Sequence, residues 1–283
     1  MSTARRVPRT RGAATPARCS RAPKGLSFLD GPDAYPRLST RPLHVLVFLL
    51  PLIALYEAGS AIYLSGDAGT ARMIRAERLL AGFFQWFGAG GLYLPGLAMI
   101  VVLLIWHALT KDRWRVKGSV LGWMAVESVA WTVPLLVLGQ VVYRLFDTGG
   151  GGVGVGLVET AGADAPAALS KGALATIAVG AGLYEELLFR MVGIALAHVI
   201  LADLLGMRDF AARAVAVVIS AAAFAAYHDI AGPAGFDLGR AAIYFFAGVY
   251  FGAVYVLRGF GIVVAVHALY DLAVLVVLPG SQP

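Results

Sequence analysis

Three short motifs in the last third of the chain carry residue types that do chemistry. LYEELLFR supplies Glu185, Glu186 and Arg190; FAAYH supplies Phe224 and His228; HALYD supplies His267 and Asp271. All three sit within apolar sequence. An ionisable side chain inside a bilayer costs about 2.5–3.5 kcal/mol on insertion scales, so each one needs a partner or a task. On a helix Glu186 and Arg190 lie one turn apart and can form an ion pair. Glu185 points about 100° away from Glu186, so it is left as the unpaired acid. His267 and Asp271 are also one turn apart, and the spacing predicts a hydrogen bond between carboxylate and imidazole. A carboxylate with that bond would orient the ring and raise its basicity.

A free glutamate and two histidines on separate helices are parts for handling water. The carboxylate can act as general base, and an imidazole can hold the water or stabilise an oxyanion. The same three groups, Glu185, His228 and His267, could instead bind a divalent metal such as zinc, with water as a further ligand. Both routes lead to hydrolysis. The blander alternative is that these groups only join helices. Three of them on three helices within one stretch weigh toward function.

The elements that must position these residues are membrane helices. Of the 283 residues, 59% are hydrophobic and 14% charged, against about 25% charged in soluble domains. The mean hydropathy is +0.76. Runs of about 20 apolar residues, enough for a span, recur from residue 44 onward. The expected fold is an all-α polytopic bundle of about eight spans: 44–64, 90–109, 119–143, 172–189, 190–206, 211–228, 239–257 and 260–278. Pro134 is a kink candidate. Residues 71–88 read as an interfacial amphipathic helix. The stretch TGGGGVGVG, 148–156, lacks the Lys and hydroxyl residue of a phosphate-binding loop and reads as a linker.

Four segments follow: a disordered basic tail over 1–42, N-terminal spans over 43–143, a Gly-rich loop over 144–171 and a helical core over 172–278. The tail carries nine basic residues against Asp30 and Asp33, with no apolar segment where a cleaved signal would need one. It suits a cytoplasmic tail touching anionic lipid. The net charge of +6 therefore marks the cytoplasmic side rather than a nucleic-acid partner. Cys19 is the single cysteine, which excludes an intrachain disulfide or thiolate cluster. Arginine outnumbers lysine 19 to 4, the mark of a GC-rich, bacterial coding sequence, and the expected location is a bacterial inner membrane.

EExxxR, FxxxH and HxxxD on successive membrane helices resemble the CPBP family of intramembrane endopeptidases, the CAAX-processing and bacteriocin-processing (Abi) proteins. The resemblance covers about 172–278. It implies Glu185 as the base that activates water, His228 as a holder of that water, and His267 with Asp271 facing the oxyanion. Glu186 and Arg190 would be supporting. The family has been read both as metal-dependent and as glutamate-type. Prenyl-protein proteases of the family carry Asn where this chain has Asp271, and an ionised Asp cannot donate to an oxyanion.

The implied activity is cleavage of a membrane-anchored protein or peptide near its membrane-proximal end. The competing readings are a non-catalytic protein on the same scaffold, serving immunity or partner binding, and an ion-coupled transporter. The transporter would carry an internal repeat, and no repeat is present. His44, His107 and His198 read as interfacial or interhelical histidines. Glu57 and Glu127 are span carboxylates without a local partner. Tyr184, Tyr227 and Tyr270 each adjoin a motif residue, and Gly180 and Gly182 permit close helix approach.

Overall fold

Pro42, preceded by an extended Arg41, opens the first long helix, a position where the missing N–H costs nothing. The computed structural model describes residues 34–64, 76, 78–80, 82, 94–146, 169–232 and 235–277. The expected tail up to residue 33, most of the amphipathic segment 71–88 and the linker 148–156 lie outside the described residues.

In chain order the described elements are α1 (Tyr35–Leu38), α2 (Pro42–Leu64), α3 (Leu94–Thr110), α4 (Gly118–Phe146), α5 (Lys171–Leu204), α6 (Asp209–Tyr227), a hairpin of β1 (Ala231–Gly232) and β2 (Gly235–Phe236), α7 (Leu238–Arg258) and α8 (Phe260–Val277). Six of these helices are long and apolar enough to cross a membrane, and α3 is a shorter apolar helix. The chain is an all-α integral membrane protein.

The span count differs from the sequence expectation. Segments 172–189 and 190–206 are one helix of 34 residues, not two spans. No Gly or Pro breaks it at Arg190. Its geometry instead loosens there: the Leu187 N–H reaches both Leu183 and Tyr184 carbonyls, and wide i→i+5 turns run over Leu187–Ile194 and Val199–Leu204. Such wide turns gather at functional sites. With those two segments counted as one crossing, Arg208 and Arg213 fall at the same end of the bundle as the basic loop 111–117.

Side-chain contacts tie that end together. Arg41 faces Asp112 at 3.8 Å, and the Lys117 N–H donates to His44 Nε2 at 3.3 Å. Glu127, expected to lack a local partner, accepts from Arg258 Nη2 at 2.8 Å, from Arg258 Nε and from the Tyr35 hydroxyl. Trp131 Nε1 completes the set at 3.1 Å. Burial and the hydrogen bond to Glu127 hold the Tyr35 phenol well above its ordinary range, so it stays a donor. α7 and α8 are joined by Gly259 alone, at φ +84°, a value that favours glycine. In lipid there is little hydrophobic drive between helices, so close packing and buried polar contacts hold a bundle together. At Gly182 one helix backbone meets another: a Cβ there would lie 2.8 Å from the Ala268 amide and the Val264 carbonyl. That contact seats α5 against α8 one turn from the glutamate pair.

Candidate active site

α5 presents its two glutamates in different directions, as their angular separation requires. Glu186 Oε1 meets Arg190 Nη1 at 3.0 Å, with both side chains fully buried. The guanidinium also donates from Nη2 to the Gly248 carbonyl at 3.3 Å. It lies over Phe224 at 4.4 Å and Phe251 at 5.2 Å from the ring centroids, a cation–π cage. The same Glu186 Oε1 accepts from His267 Nδ1 at 2.6 Å.

Two carboxylates therefore face His267. The one on Nδ1 is Glu186, from another helix, which the spacing along α8 did not indicate. Asp271 Oδ2 stands 3.5 Å from the opposite nitrogen, Nε2. The i,i+4 spacing brings Asp271 near the ring, but Nδ1 is already held.

His228 does not lie within a helix. α6 ends at Tyr227, and His228 caps it in an extended conformation. Its Nδ1 reaches back to the Phe224 carbonyl at 2.8 Å. A carbonyl only accepts, so Nδ1 carries the proton. The ring stacks on Tyr244 at 4.1 Å and 23°, and the His267 ring stacks on Phe251 at 4.4 Å and 20°. Each such aromatic pair is worth about 0.5–1.5 kcal/mol beyond its buried area.

With both Nδ1 atoms held, both Nε2 atoms turn toward Glu185. Its Oε2 is 3.7 Å from His228 Nε2 and 3.9 Å from His267 Nε2. Those separations exceed a direct hydrogen bond and match groups that share a bridging water. Glu185 Oε2 and Asp271 Oδ1 accept no hydrogen bond from the protein. Glu185 and His267 are 1% exposed, Asp271 3% and His228 4%. An imidazole protonated only at Nδ1 offers a lone pair at Nε2, as the carboxylates do at oxygen, so the cluster is rich in acceptors. Their natural complement is a donor, and water is one.

The donor types would also suit a divalent metal held by Glu185, His228 and His267, with Glu186 and the Phe224 carbonyl behind the rings. Among the described residues, however, no group of three or more His, Cys, Asp or Glu has the spacing of a metal site.

The other sequence candidates lie elsewhere. His107 packs edge-on to Trp114 at 4.4 Å. His198 pairs with Asp209 at 2.9 Å on the surface, and His44 meets the 111–117 loop. Tyr227 lies edge-on to Phe189 and His228, and Tyr270 is buried. Glu57 meets Tyr184, next to the base candidate. Sequence reasoning missed Tyr244, Gly248 and Phe251, which form the floor under both histidines and Arg190. Their i, i+4, i+7 spacing along α7 places them on one face, and an aromatic pair framing a glycine was the signal available.

Residues 168–273 match the family model described as Type II CAAX prenyl endopeptidase Rce1-like. The matched stretch holds every residue of the cluster and bears out the family resemblance read from the three motifs. No curated protein and no solved structure matches the chain.

Proposed function

We propose that this membrane protein is an intramembrane endopeptidase in which Glu185 activates the water that cleaves a peptide bond of a membrane-associated or tailed protein. The observation that carries the reading is the placement of Glu185 Oε2 between two imidazole Nε2 atoms whose Nδ1 atoms are both held. A water there is held by His228 and gives a proton to Glu185 as its oxygen attacks the scissile carbonyl. His267 enters the cycle as the imidazolium, donates from Nε2 to the oxyanion and keeps its proton throughout, with Glu186 balancing its charge. Glu185 then passes its proton to the leaving amine. The side chains alone complete the cycle.

Comparative terminal proteomics of membranes carrying the wild-type protein or Glu185→Ala tests this. New protein termini present only with the wild type are expected, and a peptide spanning such a terminus becomes the reporter substrate. Identical termini would favour the non-catalytic scaffold reading. The observation on that side is burial: a peptide reaches groups only 1–4% exposed after the bundle opens.

The two carboxylates near His267 are expected to differ in weight. Glu186→Gln removes the charge behind the ring, whereas Asp271→Asn keeps the side chain's size and adds a donor beside Nε2. Turnover of the reporter by Asp271→Asn should exceed that by Glu186→Gln by about tenfold or more. The reverse order would return the orienting role to Asp271.

The basic end of the bundle, with Arg41, Lys111, Arg115, Arg208 and Arg258, is assigned to the cytoplasm by the positive-inside rule, and the N-terminus with it. Cys19, the single cysteine, reports this directly. A membrane-impermeant maleimide should label it in permeabilised but not in intact spheroplasts. Labelling of intact spheroplasts would invert the topology.

A further inference from the structure

Glu57 is the span carboxylate that neither the proposed reaction nor the basic end uses. It lies on α2, half-buried, and no Lys, Arg or His pairs with it among the described residues. Its hydrogen bond comes from the Tyr184 hydroxyl at 3.4 Å. Gly96 on α3 leaves room for this contact: a Cβ there would stand 2.4 Å from Glu57 Oε1 and 3.4 Å from the Tyr184 oxygen. Tyr56, the preceding residue of α2, packs edge-on to the Tyr184 ring at 5.1 Å and 76°. Two consecutive residues of α2 thus grip one phenol that is itself buried.

That phenol directly precedes Glu185. Neighbouring side chains on a helix are fixed about 100° apart, so holding Tyr184 sets the direction of Glu185. The hold is placed where α5 needs it, because regular helical bonding ends at Glu186 and the wide turns begin at Leu187. The glutamate pair thus closes the regular part of α5, and Tyr184 is the residue just before it.

We infer that Glu57 is a positioning residue: by accepting the Tyr184 hydroxyl it fixes the rotation of α5 that aims Glu185 at His228 and His267. The inference rests on Glu185 being the base, as proposed above. It is tested with the full-length protein in liposomes and the reporter peptide. Tyr184→Phe and Glu57→Leu should each lower kcat about tenfold or more, since small misplacements of a reacting group are costly. KM should change by less than about twofold, because substrate contacts are untouched. Glu57→Gln, whose amide oxygen still accepts, should keep most of the wild-type kcat. The double variant Glu57→Leu with Tyr184→Phe should fall no further than the worse single one, as expected for one shared contact.

Tyr184→Phe keeps the packed ring, so it tests the hydroxyl even if Glu57→Leu fails to fold. Full kcat in Tyr184→Phe overturns the inference. So does a Glu57→Gln variant with raised KM for lysine-containing reporters, which would make Glu57 a substrate contact. Wild-type protein that cleaves nothing removes both this inference and the protease reading; wild-type cleavage with unaffected variants removes this one alone.

Discussion

Glu185→Gln is expected to lower kcat on the reporter by about 10³-fold while leaving the protein folded. A positioned general base contributes about 10²–10⁴-fold, and glutamine keeps the volume of the side chain but cannot take a proton. The structure argues against a compensating base. Glu186 Oε1 is committed to Arg190 and His267, and Asp271 faces the His267 edge of the cluster. Stability should hold or rise. Glu185 Oε2 accepts no hydrogen bond from the protein, so no hydrogen bond is lost at that atom, and the new amide can donate toward an imidazole. Single-turnover rates and thermal unfolding in detergent measure the two effects separately. A kcat within about tenfold of wild type would remove Glu185 from the role of base.

Arg190→Met should have the largest effect on stability. Removing one partner of a buried pair costs about 3–5 kcal/mol, because the other charge is left uncompensated. Here the pair is fully buried, and the guanidinium also loses its contacts with Phe224 and Phe251. Arg190→Lys should recover little, since an ammonium lacks the flat face and the fork that reaches both Glu186 and the Gly248 carbonyl. Adding Glu186→Gln to Arg190→Met removes the stranded charge and should restore most of the unfolding temperature. It should not restore turnover, because His267 Nδ1 then faces an uncharged amide. An Arg190→Met protein as stable as wild type would mean that Glu186 is balanced by other groups.

The spans and motifs were legible because a charge in apolar sequence is conspicuous and helical periodicity gives its direction. The separation of Glu185 from Glu186 followed from that periodicity, and the structure shows them facing different partners. The continuity of α5 was not legible. A length of 34 residues exceeds the roughly 20 that one crossing needs, and length argued for a cut where no residue type makes one. The second carboxylate on His267 was hidden for another reason. Spacing along one helix points to Asp271, whereas Glu186 lies 81 residues away and is brought in by the approach of α5 to α8 at Gly182. Glu57 and Glu127 read alike in sequence, yet one meets an arginine 131 residues later and the other a phenol. Pairing between helices depends on which faces pack, and a single sequence carries little of that.

The ion pair between Glu186 and Arg190 also bears on how the protein is made. The chain is synthesised from its N-terminus, so the glutamates of α5 enter the bilayer before the histidine that will share them exists. Four residues of spacing let Arg190 neutralise Glu186 as soon as that turn of helix forms, with no need of a distant helix. The last two spans, joined by one glycine, come later in the chain and carry Phe251 and His267, whose rings stack in the fold. The clasp is a temporary counter-ion before it is a permanent one, and it lets a site of buried charges be assembled in order.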